Sequence, residues 1–291
     1  MLKYADMKKI NVKRFVAMLF AVCVLPSPVF SASPLRMQNI AHRGMWDREV
    51  PQNTVEAIRR AYESGATWVE TDFHCTKSGR IVCIHAQKEL LSYTGCKKPI
   101  ADLTLDDISS LNLGHRDKLA KVYRIPFLEQ VLATVPSNGV LQAEIKGYSP
   151  RYAELFDRAV KAAGLSEKNI VVSSFKYDAL KDFKARCPQY RTILLVSIPK
   201  NQPFDVKEWI AKTKAAGFDV FCPGCSSTRG VMTRADADAV RAAGLGFRLF
   251  GVNSLDDMKQ AKTLGATGFT CNFWHKAFKW AEAVGGVELI R

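Results

Sequence analysis

The chain is poor in the features that announce several function classes. No apolar run approaches the roughly 20 residues of a membrane-crossing helix, since the run at 15–24 is too short to span a bilayer comfortably. No block of five or six like charges occurs, and the aromatics are not interleaved with basic residues. Despite a net charge of +14, that pattern argues against a nucleic-acid groove. Cys222-Pro223-Gly224-Cys225 has no second ligand pair at zinc-binding spacing. A dinucleotide fingerprint is also missing. Gly244-Leu245-Gly246 has Leu249 where a third glycine should fall, and it precedes a strand-like run instead of following one.

What is present begins at the N-terminus. Lys3, Lys8, Lys9, Lys13 and Arg14 precede the apolar run, and Pro26, Pro28 and small residues follow it. This layout predicts a secretory signal over 1–31, cleaved near Ser31/Ala32, and a periplasmic or secreted domain over 32–291. A retained N-terminal anchor is the rival. Cys23 follows Val22 instead of a small residue, so no lipoprotein site is read there. Loss of 1–31 leaves about +10. That balance fits small phosphate-bearing substrates or peripheral contact with an anionic membrane, with nucleic acid the weaker partner. Seven cysteines remain, at 75, 83, 96, 187, 222, 225 and 271. In an oxidising compartment the odd number predicts one or two disulfides and at least one free thiol. Cys222 and Cys225 are read as a local disulfide or two free thiols, not as a redox pair.

From residue 37 onward, short apolar runs alternate with helical patterns. The runs are 37–41, 68–72, 140–145, 170–173, 192–197, 220–222, 247–252 and 268–271. Apolar residues at three- and four-residue spacing mark helices over 54–63, 152–163, 177–186, 206–216, 234–243 and 255–264. Glycines at 65, 164, 217, 244 and 265 suit C-terminal caps, and Asn53 and Ser254 suit N-caps. Eight strands alternating with helices predict an α/β fold, a TIM-type (β/α)8 barrel. A doubly wound open sheet is the alternative. An insertion at about 86–126 separates the second and third barrel strands; it follows an extra strand, 81–84, and a further helix is expected at 127–135. So long a connection is usually functional.

Polar residues gather where the strands end. His42 and Arg43 follow the first, Glu70 and Asp72 close the second, His85 follows the extra strand, and Glu144 and Lys146 close the third. Side chains alternate along a strand, so each i, i+2 pair faces one centre. Two close carboxylates repel unless a cation sits between them, which suggests a hard metal ion. Histidines trade protons near neutral pH, and Arg43 offers a fork of donors suited to a phosphate. His74 is read as structural and His115 as a solvated loop residue. His275 is a weaker candidate for the mouth.

These residues, with Pro51-Gln52-Asn53-Thr54 and Ile125-Pro126-Phe127-Leu128-Glu129, resemble the glycerophosphodiester phosphodiesterase family over about 38–276. The resemblance implies a barrel that hydrolyses glycerophosphodiesters to glycerol 3-phosphate and an alcohol. It implies one divalent cation, Mg2+ or Ca2+, on Glu70, Asp72 and Glu144. His42 and His85 would be the acid–base pair, with Arg43 and Lys146 on the phosphate. Trp46, Phe175, Asn253 and Trp274 are candidates for the substrate mouth. The chain departs from the family pattern at Gln52, where Glu is usual, and at Ala86, where Asp is usual. It departs again at Phe250-Gly251-Val252-Asn253 and Thr270-Cys271-Asn272. Those departures mark a divergent member. A lysophospholipase D or phosphatidylinositol-type phosphodiesterase acting on lipids is the alternative, and a non-catalytic phosphate-binding barrel is a third reading.

Overall fold

The alternating pattern resolves into a closed ring of strands. The computed structural model describes residues 33–199 and 204–291, so the segment read as a secretory signal and its cleavage position lie outside the described residues. In chain order the strands are β1 (Leu35–His42), β2 (Trp68–Cys75), β3 (Ile81–Cys83), β4 (Val140–Gly147), β5 (Ile170–Ser174) and β6 (Arg191–Val196). After these come β7 (Val220–Pro223), β8 (Gly246–Phe247), β9 (Gly268–Cys271) and β10 (Val287–Ile290). Parallel pairing runs β1-β2-β4-β5-β6-β7-β8, and β9 returns to β1. The remaining gap is closed by hydrogen bonds between residues 247–252 and 267–270, such as Leu249 N–H to Gly268 O at 3.0 Å. The expected strand at 247–252 therefore exists in two halves. Its start, Gly246–Phe247, ladders regularly with β7, and its remainder is held by isolated bridges, Phe250 to the β7 side and Leu249 to β9.

Helices α1 (Val55–Glu63), α2 (Gln87–Thr94), α3 (Leu105–Ser110), α4 (Leu128–Leu132), α5 (Tyr152–Ala162) and α6 (Tyr177–Arg186) lie between the strands in this order. They continue as α7 (Val206–Ala215), α8 (Cys225–Thr228), α9 (Arg234–Ala242), α10 (Leu255–Leu264) and α11 (Trp274–Val284). Strand parity sorts the side chains into two cores. Residues such as Val69, Ala143, Phe221 and Phe269 face outward and pack against the helices. Ile40, Trp68, Val171, Ile193, Leu195, Val220 and Cys222 face inward and fill the lower barrel. Arg248 is buried with its guanidinium 4.1 Å from the centre of the Trp68 ring.

The connection from β2 to β4 carries its own small core of Val82, Ile84, Leu90, Ile100, Leu103, Ile108, Leu113, Tyr123 and Ile125. β3 runs antiparallel on the far end of β2, pairing Phe73 with Cys83, and Ile84 N–H bonds Asp72 O at 3.0 Å. This hairpin folds His85 back beside the acids of β2.

Two expectations are corrected, and one strand was not anticipated. Thr54, not Asn53, caps α1, its hydroxyl accepting from Ala57 N–H at 3.2 Å. Asn53 instead has a φ of 58° and a buried amide. Ser254 does cap α10 as expected. All seven cysteines in the described residues are free thiols. Cys222 faces the barrel interior and Cys225 the outer core, and burial pushes both thiols up to about 12. Strand β10, which pairs parallel with Leu35–Gln38 of β1, has no counterpart in the sequence reading.

Candidate active site

The site is built from the carboxyl ends of β1, β2 and β4 and the turn after β3. Register places His42 beside Glu70 and Asp72 beside Glu144. One ligand oxygen each from Glu70, Asp72 and Glu144 lie within 4.8 Å of one another, and all three residues are buried. His42, Arg43, Glu70, His85, Glu144, Lys146 and Phe175 line one cavity of about 250 Å³, with Gln142, Leu195, Phe250 and Thr270 completing its wall.

The loop after β1 is shaped to aim Arg43. Arg43 and Gly44 have φ of 62° and 80°, and Arg43 N–H extends the strand ladder to Glu70 O at 2.8 Å. Asn53 N–H bonds back to Arg43 O at 3.1 Å. The Asn53 side chain then grips Asp72 twice, its amide donating to Oδ2 at 2.9 Å and its oxygen accepting from the Asp72 N–H at 3.2 Å. Gly44 is required for close approach, because a Cβ there would lie 2.5 Å from the Ala57 carbonyl carbon.

Two cations balance three acids. Arg43 Nε lies 3.1 Å from Asp72 Oδ2, and Lys146 Nζ lies 3.3 Å from Asp72 Oδ1 and 2.6 Å from Glu144 Oε1. Burial works upward on Asp72, yet Arg43 and Lys146 outweigh it and hold that carboxyl below its ordinary range. For Glu70, burial and then the repulsion of Asp72 and Glu144 push the carboxyl well up. Burial and Asp72 raise Glu144 to about 7. Burial and the neighbouring Arg43 lower His42 to about 4. The residues present fit a divalent cation. Their donors are hard carboxylate oxygens, and Glu70 Oε1 is buried with no hydrogen-bond partner.

Several residues missed by the sequence reading hold the histidines. His42 Nδ1–H donates to Asn272 Oδ1, directly after β9. His85 Nδ1–H donates to Glu89 Oε1 on α2 at 2.9 Å. His74 donates to the His85 carbonyl at 3.2 Å. Gln142 shares inward parity with Glu144 and Lys146, a signal the same alternation could have given. Gln52, at a departure from the family pattern, accepts from Arg43 at 3.1 Å. Ala86, at the other, is the N-cap residue of α2 and makes no side-chain capping bond.

Not every mouth candidate reaches the cavity. Phe175 does, with Lys146 Nζ 5.4 Å from its ring centre and Phe250 packed edge-on. Trp46 stands outside, its indole N–H donating to His42 O at 3.2 Å, and faces an adjoining groove with Tyr93 and Phe273. Asn253 is turned to Asn272, accepting its N–H at 2.8 Å. Trp274 is buried among the helices, with its indole bonded to Asn39 O at 3.2 Å, so it packs the fold and does not line this cavity. His115 and His275 are exposed and lie outside the cavity wall.

With this geometry in place, known proteins can be compared. A model of the glycerophosphoryl diester phosphodiesterase family matches residues 42–276. A glycerophosphodiester phosphodiesterase of Bacillus altitudinis is 29% identical over 248 residues, covering 83% of this chain and 97% of that protein. One from Caldanaerobacter subterraneus is 32% identical over 170 residues, covering 57% and 69%. The structure of an Oleispira antarctica phosphodiesterase in complex with the product sn-glycerol-3-phosphate superposes with a TM-score of 0.70. It is 21% identical and covers 84% of this chain and 96% of that one. The barrel, its acids and these matches make this chain a member of the glycerophosphoryl diester phosphodiesterase family.

Proposed function

We propose that this phosphodiesterase hydrolyses glycerophosphodiesters to glycerol 3-phosphate and an alcohol. One observation carries the reading: two imidazoles, two fixed cations and the carboxylates of Glu70 and Glu144 line a single cavity of phosphate-accommodating size, with buried Asp72 within ligand distance of both acids. Cleaving a phosphodiester requires its negative charge to be countered, a nucleophile to lose a proton and the departing alkoxide to gain one. Arg43 and Lys146 meet the first need, positioned by Asp72 between them. His42 and His85 would meet the others, one accepting a proton and one donating it. Their Nδ1 atoms are engaged by Asn272 and Glu89, which turns the Nε2 atoms toward the cavity. A divalent cation, magnesium or calcium, on Glu70, Asp72 and Glu144 would polarise the phosphoryl oxygen. Phe175, Phe250 and Leu195 supply an apolar wall that keeps bulk water from screening these charges.

The test is release of glycerol 3-phosphate from a panel of soluble glycerophosphodiesters and micellar lysophospholipids, with magnesium, calcium or chelator. Soluble diesters should be cleaved in a chelator-sensitive way, and His42→Ala and Glu70→Ala should each abolish turnover in folded protein. Turnover confined to micellar substrates would replace this reading with the lipid-directed one. Wild-type rates in either variant would remove the proposed chemistry.

A further inference from the structure

We propose that Glu89 is a positioning residue that sets the tautomer and orientation of His85 and couples it to Arg43; the inference rests on the hydrolase reading above. The geometry follows from where α2 begins. Ala86 is the N-cap residue, so one turn of helix returns the fourth residue after His85 to the imidazole. Glu89 Oε1 is 2.9 Å from His85 Nδ1, and the same oxygen is 3.2 Å from Arg43 Nη1. Arg43 is tied in turn to Gln52 at 3.1 Å and to Asp72 at 3.1 Å. A single carboxylate oxygen therefore joins a histidine delivered by the β2–β4 connection to an arginine delivered by the β1 loop. Among the described residues, Glu89 is the one acid within ion-pair distance of the His85 ring.

A surface pair at i, i+4 does little beyond steadying its helix. This pair differs in two respects. Both side chains are mostly buried, at 23% and 16% exposure, and the imidazole partner is a cavity-lining group. A carboxylate facing Nδ1 is satisfied only when that nitrogen carries a hydrogen. The hydrogen at Nδ1 leaves Nε2 as the atom that exchanges a proton with substrate. The His74 bond to the His85 carbonyl fixes the backbone beneath the ring, so Glu89 need only fix rotation about the side chain. Helix α2 buries little else, Leu90 being its one fully buried side chain, so the latch contributes to seating the helix as well.

The experiment compares Glu89→Ala and Glu89→Gln in the full chain. Two readouts are used: steady-state kinetics on a cleaved glycerophosphodiester, and nitrogen-15 NMR of the histidine rings without substrate. Glu89→Ala should lower kcat about 10–100-fold with KM within threefold, the usual range for losing a group that orients an active-site side chain. Glu89→Gln, which can still accept from Nδ1–H, should recover most of the loss. In the NMR spectra the neutral His85 ring should carry its hydrogen on Nδ1 in the wild type and lose that preference in Glu89→Ala. In a His85→Ala background, adding Glu89→Ala should cost clearly less than it does in the wild type, the remainder being its hold on Arg43. An unaltered His85 tautomer in Glu89→Ala would overturn the proposal. So would an equal further loss in the His85→Ala background. The tautomer measurement needs no turnover, so it stands or falls separately from the identity of the substrate.

Discussion

Asn53 offers the sharpest test of how the loop after β1 supports the acids. Replacing it with alanine removes the amide that donates to Asp72 Oδ2 at 2.9 Å and the oxygen that accepts the Asp72 N–H at 3.2 Å. The Asp72 N–H would then be a buried orphan, costing about 1–3 kcal/mol. Loss of a donor to the carboxylate adds about 1.5 kcal/mol, tempered by Arg43, which remains 3.1 Å from the same oxygen. The φ of 58° adds about 1–2 kcal/mol for any residue with a Cβ and no polar group to offset it. Asn53→Ala should therefore lose about 4 kcal/mol and Asn53→Gly about 3 kcal/mol. That order reverses the usual one, in which glycine is the worse residue through its greater freedom when unfolded. Equilibrium urea unfolding in chelator measures both variants without a contribution from bound cation. The reasoning fails if alanine is no worse than glycine, or if either variant lies within about 1 kcal/mol of wild type, the size of one ordinary net hydrogen bond.

Two other predictions test the cysteines and the acids. Burial raises the Cys222 and Cys225 thiols to about 12, so at pH 8 about one molecule in ten thousand carries either thiolate; a thiol-specific chromogenic reagent should modify neither until denaturant is added, and labelling of either in folded protein at pH 8 would contradict their placement. Glu70→Gln keeps the shape and spares the folded metal-free protein the cost of either holding a charge or taking up a proton beside two other buried acids, so at neutral pH without metal the variant should melt about 2–4 °C above wild type while losing the rise in Tm expected when a divalent cation is added to the wild type; an unchanged cation response by differential scanning calorimetry would count against Glu70 as a ligand.

The barrel was readable because its signals are local. Each strand is a short apolar run, and the i, i+2 acids at 70/72 and the Glu144/Lys146 pair report their common facing through parity alone. The residues that hold those groups were not readable in the same way. Asn272 meets His42 across 230 positions of chain, a pairing created only when β9 closes on β1. Asn53 looked like a helix cap because it stands at the edge of α1, yet its left-handed backbone turns the amide toward β2. Glu89 is four residues from His85, a helical spacing, but α2 has one fully buried side chain and so lacks the apolar stripe that marks a helix. Its position after the last barrel strand puts Trp274 at the mouth when only the sequence is considered. The first turn of α11 carries it inward instead, onto Asn39. Cys222 and Cys225 sit three apart across a strand end that sends them to opposite cores, a separation invisible in their spacing.

The layer of Ile40, Trp68, Val171, Ile193, Leu195, Val220 and Cys222 beneath the acids makes the cavity a cul-de-sac. Whatever enters it leaves by the same opening, since the packed barrel interior offers no second way out. A compound that merely corks the rim, without touching a single charged group below, would halt traffic in both directions.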